Sequence, residues 1–112
     1  SKKIIFNNYN YYAAINYEKK NEFKKAFDCY SLFSKDNPDS PQSLEGLARL
    51  SQQSNDIKNA ITFYKKAISI TPKAESLLNL STCLDLFGEE DLFGEGIVLR
   101  FIYNMNNLKT LP

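Results

Sequence analysis

The side chains that could do chemistry are sparse in this chain. Its 112 residues include no His, which removes the commonest general base and the commonest metal ligand together. The two cysteines, Cys29 and Cys83, are too few for a disulfide framework or a four-thiolate zinc site. Each is a nucleophile candidate that lacks the usual partner base, and both read as ordinary free thiols. Glu89, Glu90 and Asp91 form a short acidic run, but no EF-hand spacing surrounds it, and it reads as a solvated turn. Asn79-Leu80-Ser81 fits a glycosylation sequon within a stretch of helical periodicity, where a glycan acceptor is not expected. No Gly-rich phosphate loop is present. These residues predict a chain with no catalytic, metal or cofactor site. What remains is recognition chemistry: seven Tyr, and two Arg at Arg49 and Arg100, the residue types enriched at binding hot spots.

The elements that must position those side chains belong to one ordinary domain. A hydrophobic share of 43% is enough for a core, and a chain of this size buries about 65% of the surface that its unfolded form exposes. Lys and Arg total 14 against 13 Asp and Glu, so the net charge of +1 argues against duplex DNA or an anionic membrane surface as partner. The longest apolar run, Gly96-Ile97-Val98-Leu99, stops at Arg100, far short of a membrane span. No signal peptide opens the chain, which begins Ser1-Lys2-Lys3 and reads as a mature or excised piece, leaving the compartment open.

An internal period organises the sequence. A shift of 34 places Ala14 on Ala48, Asn21 on Asn55, Ala26 on Ala60, Tyr30 on Tyr64 and Pro38 on Pro72. A shift of 33 then puts Leu44 on Leu77, Leu47 on Leu80, Ala48 on Ser81 and Asn55 on Gly88. Each unit reads as two helices. In the first, helices run from about Asn8 to Lys20 and from about Glu22 to Lys35, with a turn at Asn21 and a break at Asn37-Pro38. In the second, Ser40 offers an N-cap hydroxyl and Pro41 suits the first helical position. Leu44, Leu47, Ala48 and Leu50 then recur at helical spacing, Asn55 stops the helix, and Ile57 to Ile68 form a second apolar stripe ending before Thr71-Pro72. No alternating run calls for a strand.

At these residues the sequence resembles the tetratricopeptide repeat family, a 34-residue helix–turn–helix with small residues where two helices approach closely. The second unit matches with Leu44, Leu47, Ala48, Ala60, Tyr64, Ala67 and Pro72, and departs at Ser51, where an aromatic is usual. The first matches with Ala14, Tyr17, Ala26, Tyr30 and Pro38, but has Asn10, Ala13 and Phe33 where a large apolar residue, Leu and a small residue are usual. The third keeps Leu77, Leu80, Ser81 and Gly88 and then loses register. The resemblance implies an all-α, right-handed α-α solenoid in one domain, with repeats at about 7–40 and 41–73 and a degenerate third at about 74–108. Within that third repeat, Asp85-Leu86-Phe87-Gly88-Glu89 recurs as Asp91-Leu92-Phe93-Gly94-Glu95, either a lengthened inter-helix turn or an acidic-aromatic loop that a partner grips.

The resemblance also implies a non-catalytic protein–protein interaction module, holding a peptide segment or helix of another protein on its concave face. Its groove positions fall here on Asn8, Tyr11, Tyr12, Ile15 and Lys19, on Gln42, Glu45, Gly46, Arg49 and Gln53, and on Glu75, Leu78, Asn79 and Thr82, of which Tyr11, Tyr12, Ile15, Glu45, Arg49 and Leu78 are expected to hold the partner. Alternatively, Tyr9, Tyr11 and Tyr12 wrap the amino-terminal edge of the core. Family members that clamp acidic chaperone tails use Lys, Asn and Arg, whereas the matching residues here are Tyr11, Ile15, Gly46, Glu75 and Asn79, so no binding to such tails is expected. An alternative is a structural assembly or oligomerisation domain that uses an apolar final helix carrying Val98, Phe101, Ile102 and Met105, covered by a partner or a second copy. A more distant alternative is a helical repeat that reads single-stranded RNA; Glu45 beside Arg49 makes the inner face mixed in sign, which argues against nucleic acid.

Overall fold

The computed structural model describes residues 2–87. Among these every regular element is an α-helix: α1 (Lys2–Lys19), α2 (Phe23–Asp36), α3 (Pro41–Gln53), α4 (Ile57–Ile70) and α5 (Ala74–Phe87). Each helix packs chiefly on its neighbours in the chain, the contact pattern of a helical repeat. None of these helices is long and apolar enough to cross a membrane. The final helix expected from the sequence, with Val98, Phe101, Ile102 and Met105, lies outside the described residues, as does the tandem loop from Gly88 onward.

The turns within the first two units share one geometry. Asn21 and Asn55, 34 residues apart in sequence, have φ values of 62° and 63°, the left-handed region. After α1, the Asn21 N–H donates to the Glu18 carbonyl and the Glu22 N–H to the Tyr17 carbonyl, at 3.0 and 2.9 Å. After α3, the Asn55 and Asp56 N–H groups donate to the Gln52 and Ser51 carbonyls at 3.1 and 2.8 Å. These paired 5→2 and 6→1 bonds are the Schellman motif, with Asn where Gly is commonest. They satisfy carbonyls that a helix end otherwise leaves without partners, and they turn the chain sharply enough for the next helix to pack back.

Two local expectations are corrected. The first helix starts at Lys2 rather than near Asn8, because no Gly or Pro interrupts the stretch before Asn8. Ser40 does occupy the N-cap position ahead of Pro41, yet its hydroxyl makes no cap bond. It donates instead to the Gln42 side chain at 3.2 Å. Asp56 is the residue that caps with its side chain, accepting from the Asn59 N–H at 3.4 Å.

Small residues occupy the closest helix contacts. Ala14, Ala26, Ala48, Ala60 and Ala67 have no exposed surface. One buried cluster gathers Tyr30 with Ala14, Ala26, Leu44, Leu47, Leu50 and Ala67. A second gathers Tyr64 with Ala48, Ala60, Leu80, Cys83 and Leu84, and Phe63 packs against both. In the first unit, Ala13 and Phe33 invert the sizes of their counterparts Leu47 and Ala67, and Phe33 is buried with its ring centroid 5.2 Å from that of Tyr11.

The turn geometry generates a stability prediction. Asn55→Ala places a β-carbon in the left-handed region without the local hydrogen bonding that lets Asn reside there, and is expected to cost about 1 kcal/mol. Asn55→Gly is expected to be neutral or slightly stabilising. Urea unfolding of the two variants measures the difference; equal losses would show that the φ of residue 55 is not what fixes this turn.

Candidate functional site

The site grows from one tyrosine on the second helix of each unit. Tyr30 on α2 and Tyr64 on α4 are each only 1% exposed. A buried phenol needs a partner for its O–H. Tyr30 donates to Glu18 Oε1 at 2.7 Å, and Tyr64 donates to Gln52 Oε1 at 3.1 Å. Glu18 and Gln52 are themselves 34 residues apart, each near the end of its unit's first helix. The same hydrogen bond is therefore made twice, in register with the sequence repeat.

In the first unit the bond is part of a larger assembly. Arg49 on α3 reaches back to α1 with a two-point contact, Nη2 to Glu18 Oε1 at 3.0 Å and Nε to Glu18 Oε2 at 3.1 Å. Its Nη2 also lies 3.5 Å from the Tyr30 hydroxyl. One carboxylate thus joins α1, α2 and α3. The Tyr30 ring beneath it lies over Gly46 of α3, where an added β-carbon would stand 2.6 to 2.8 Å from three ring carbons. Only glycine allows this approach.

The charges follow from this packing. Burial pushes the Glu18 carboxyl up, but the hydrogen bonds from Arg49 and Tyr30 and the charge of Arg49 outweigh it, leaving the group below the usual range. Burial, reinforced by the Glu18 hydrogen bond, raises the Tyr30 phenol. Burial also pushes Tyr64 up to about 12, so both phenols stay protonated donors at neutral pH. Burial raises the Cys83 thiol, and burial with Asp28 raises Cys29, so both are held as weakly nucleophilic thiols. Among the described residues, no group of three or more His, Cys, Asp or Glu is placed to hold a metal ion.

Three hollows meet at Arg49. The largest, about 470 Å³, is lined by Tyr11, Ile15, Glu18, Lys19, Tyr30, Gln42, Glu45 and Arg49. A second, about 370 Å³, continues past Arg49 to Gln52, Gln53, Tyr64 and Asn79. A small one of about 70 Å³ lies between Glu45, Arg49, Glu75, Ser76 and Asn79. Together they make a groove along the first helices α1, α3 and α5, floored by Tyr30 and Tyr64. Its surface mixes apolar area from Tyr11, Ile15 and the two tyrosine rings with carboxylates, carboxamides and the cations of Lys19 and Arg49.

Of the residues expected to form the groove, Tyr11, Ile15, Glu45 and Arg49 line it, as do Lys19, Gln42, Gln53, Glu75 and Asn79. Tyr12 does not. It is 64% exposed and lines a different cleft with Tyr9, Asn16, Tyr17 and Lys20, because consecutive helix residues point about 100° apart. Leu78 is exposed and lines none of the three hollows. Tyr11 packs edge-on against Tyr12 and Tyr30, with centroids 5.6 and 6.2 Å away, so it belongs partly to the core. Glu45 does not pair with Arg49, although the two are one turn apart. Arg49 is taken by Glu18, and Glu45 Oε1 lies 3.2 Å from Lys73 Nζ. Glu18, Tyr30, Gln52 and Tyr64 were not among the groove residues read from the sequence. Their 34-residue correspondence is the signal that could have found them.

Two predictions follow from the assembly around Glu18. Because folding lowers the Glu18 pKa, its stabilisation is present above the ordinary carboxylate range and is lost as the pH falls through the depressed folded value. Glu18→Gln should cost about 1 kcal/mol at neutral pH, since the pair is partly solvent-screened, and should flatten the stability profile in acid. An unchanged acid profile from denaturation across pH would contradict this. Gly46→Ala should gain about 0.5–1 kcal/mol of helix propensity and lose about 1–3 kcal/mol to overpacking, so its melting temperature should fall. A rise would show that the Tyr30 ring yields freely.

The likeness to the tetratricopeptide repeats rests on the residues quoted above, since no protein-family model and no curated protein matches this chain.

Proposed function

We propose that this chain is a non-catalytic, tetratricopeptide-like interaction module that holds an extended segment of a partner protein along the groove of α1, α3 and α5. In this reading the helix pairs form a right-handed solenoid, and the first helix of each unit lines its concave side. The observation that carries the proposal is the groove itself, a row of joined hollows whose floor is fixed by the Tyr30 and Tyr64 hydrogen bonds. Its walls present Gln42, Gln53 and Asn79, carboxamides that both donate and accept. An extended backbone, with its alternating N–H and C=O groups, is the ligand that such a surface satisfies best. A nucleic acid fits poorly, because Glu18, Glu45 and Glu75 outnumber Lys19 and Arg49 among the lining charges and would meet its phosphates.

The test is retention of partner proteins on the immobilised chain, comparing the wild type with Gln42→Arg/Gln53→Arg. Neither residue is buried, so the melting temperature should hold while the added bulk and charge block the groove. Retention should fall by about tenfold or more, the loss of roughly 1.4 kcal/mol or more of binding. Unchanged retention by the folded variant would exclude the groove as the docking surface.

A further inference from the structure

We infer that a separate hollow, away from the groove, is a binding site for a small, neutral aromatic molecule that carries a hydroxyl group. About 360 Å³ in volume, it lies where the start of α2 meets the end of α3 and shares no lining residue with the groove. Phe23, Phe27 and Leu50 supply apolar walls, and Ser51 supplies a polar point. Ser51 is only 3% exposed. Its carbonyl accepts from the Ser54 hydroxyl and the Asp56 N–H, but its own hydroxyl makes no hydrogen bond among the described residues. A buried hydroxyl without a partner is costly, and this one faces the hollow.

The repeat identifies the hollow as the place of a missing side chain. Between α4 and α5 the matching residue, 33 positions after Ser51, is Leu84, which is buried in the second cluster. Ile57 and Ile61, the counterparts of Phe23 and Phe27, pack against that cluster. There the chain fills the space from within, whereas between α2 and α3 it stops at a serine. The volume left open falls in the range of small-molecule sites, about 300–1,000 Å³ with mostly apolar walls and few polar groups. Those walls favour a ring. Phe27 is held by Phe63, with centroids 6.2 Å apart at 70°, and the partly exposed Phe23 stands at the mouth. A ring between them meets aromatic faces and edges, and its hydroxyl gives Ser51 the partner it lacks. Charge has little to grip at the rim. Lys24 and Asp28 offset each other, and the Asp56 carboxylate accepts from the Asn59 N–H and side-chain amide.

The experiment titrates the intact, isotope-labelled chain with phenol, benzene and N-acetyltyrosine amide and follows the amide chemical shifts. Phenol should give saturable shifts clustered at Phe23, Phe27, Leu50 and Ser51. It should bind about fivefold more tightly than benzene, the worth of one hydrogen bond. Ser51→Ala should abolish that advantage without lowering the melting temperature, because it removes a hydroxyl that has no partner in the fold. Ser51→Leu should supply the missing side chain, as Leu84 does, and abolish the binding of both molecules. Ser51→Ala keeps the test decisive if Ser51→Leu fails to fold. No saturable shifts at the hollow, equal affinities of the wild type for phenol and benzene, or phenol still bound by a folded Ser51→Leu would overturn the inference. A melting temperature lowered by Ser51→Ala would also overturn it, by showing that the hydroxyl is used within the fold. N-acetyltyrosine amide binding more tightly than phenol would assign the hollow to a partner's tyrosine side chain and overturn the small-molecule site. The groove reading stands or falls independently of every one of these results.

Discussion

The Glu18 carboxylate is the interaction on which the first three helices depend. It sits near the end of α1 and accepts hydrogen bonds from Tyr30 of α2 and Arg49 of α3. Tyr30 is buried and large, so its hydroxyl must be satisfied wherever the ring goes. Glu18 satisfies it at the groove surface, and the ring is then held flat against α3, where Gly46 alone leaves room. Without that bond the phenol would be a buried donor lacking a partner. Without that glycine the ring could not lie there. The depth of the groove follows from these two conditions, because the Tyr30 ring is its floor.

The second unit makes the same bond in neutral form. Gln52 replaces Glu18 as acceptor for Tyr64, and no arginine of α5 reaches back, because the residue 33 positions after Arg49 is Thr82. Geometry is retained while charge is dropped. The groove therefore has the Glu18–Arg49 pair at its centre and carboxamides beyond it, with Glu45 paired to Lys73 and with Lys19 and Glu75 as further lining charges.

Much of this fold was legible from the sequence, for identifiable reasons. Asn21 and Asn55 declared the turns because Asn is one of the few residues at ease with positive φ, and their 34-residue offset repeats the requirement. Ala26 and Ala60 declared the close helix contacts because a larger side chain could not fit there. The site was less legible. Helical spacing places Arg49 one turn from Glu45, but the fork of Arg49 finds a better-oriented carboxylate on another helix, and tertiary geometry overrides the local pairing. The family resemblance puts Tyr12 in the groove beside Tyr11, yet neighbouring residues on a helix cannot share a narrow face. Tyr30 and Tyr64 come from the second helices, and nothing in the spacing of the first helices points to them.

Glu18 and Arg49 act as one unit across helices, and the packing of α1, α2 and α3 depends on it. A double-mutant cycle with Glu18→Gln and Arg49→Met, read by urea unfolding at neutral pH, measures that coupling. The two losses should fail to add, with an interaction energy of about 0.5–3 kcal/mol. Losses that add to within about 0.3–0.5 kcal/mol would show two independent surface residues and contradict it.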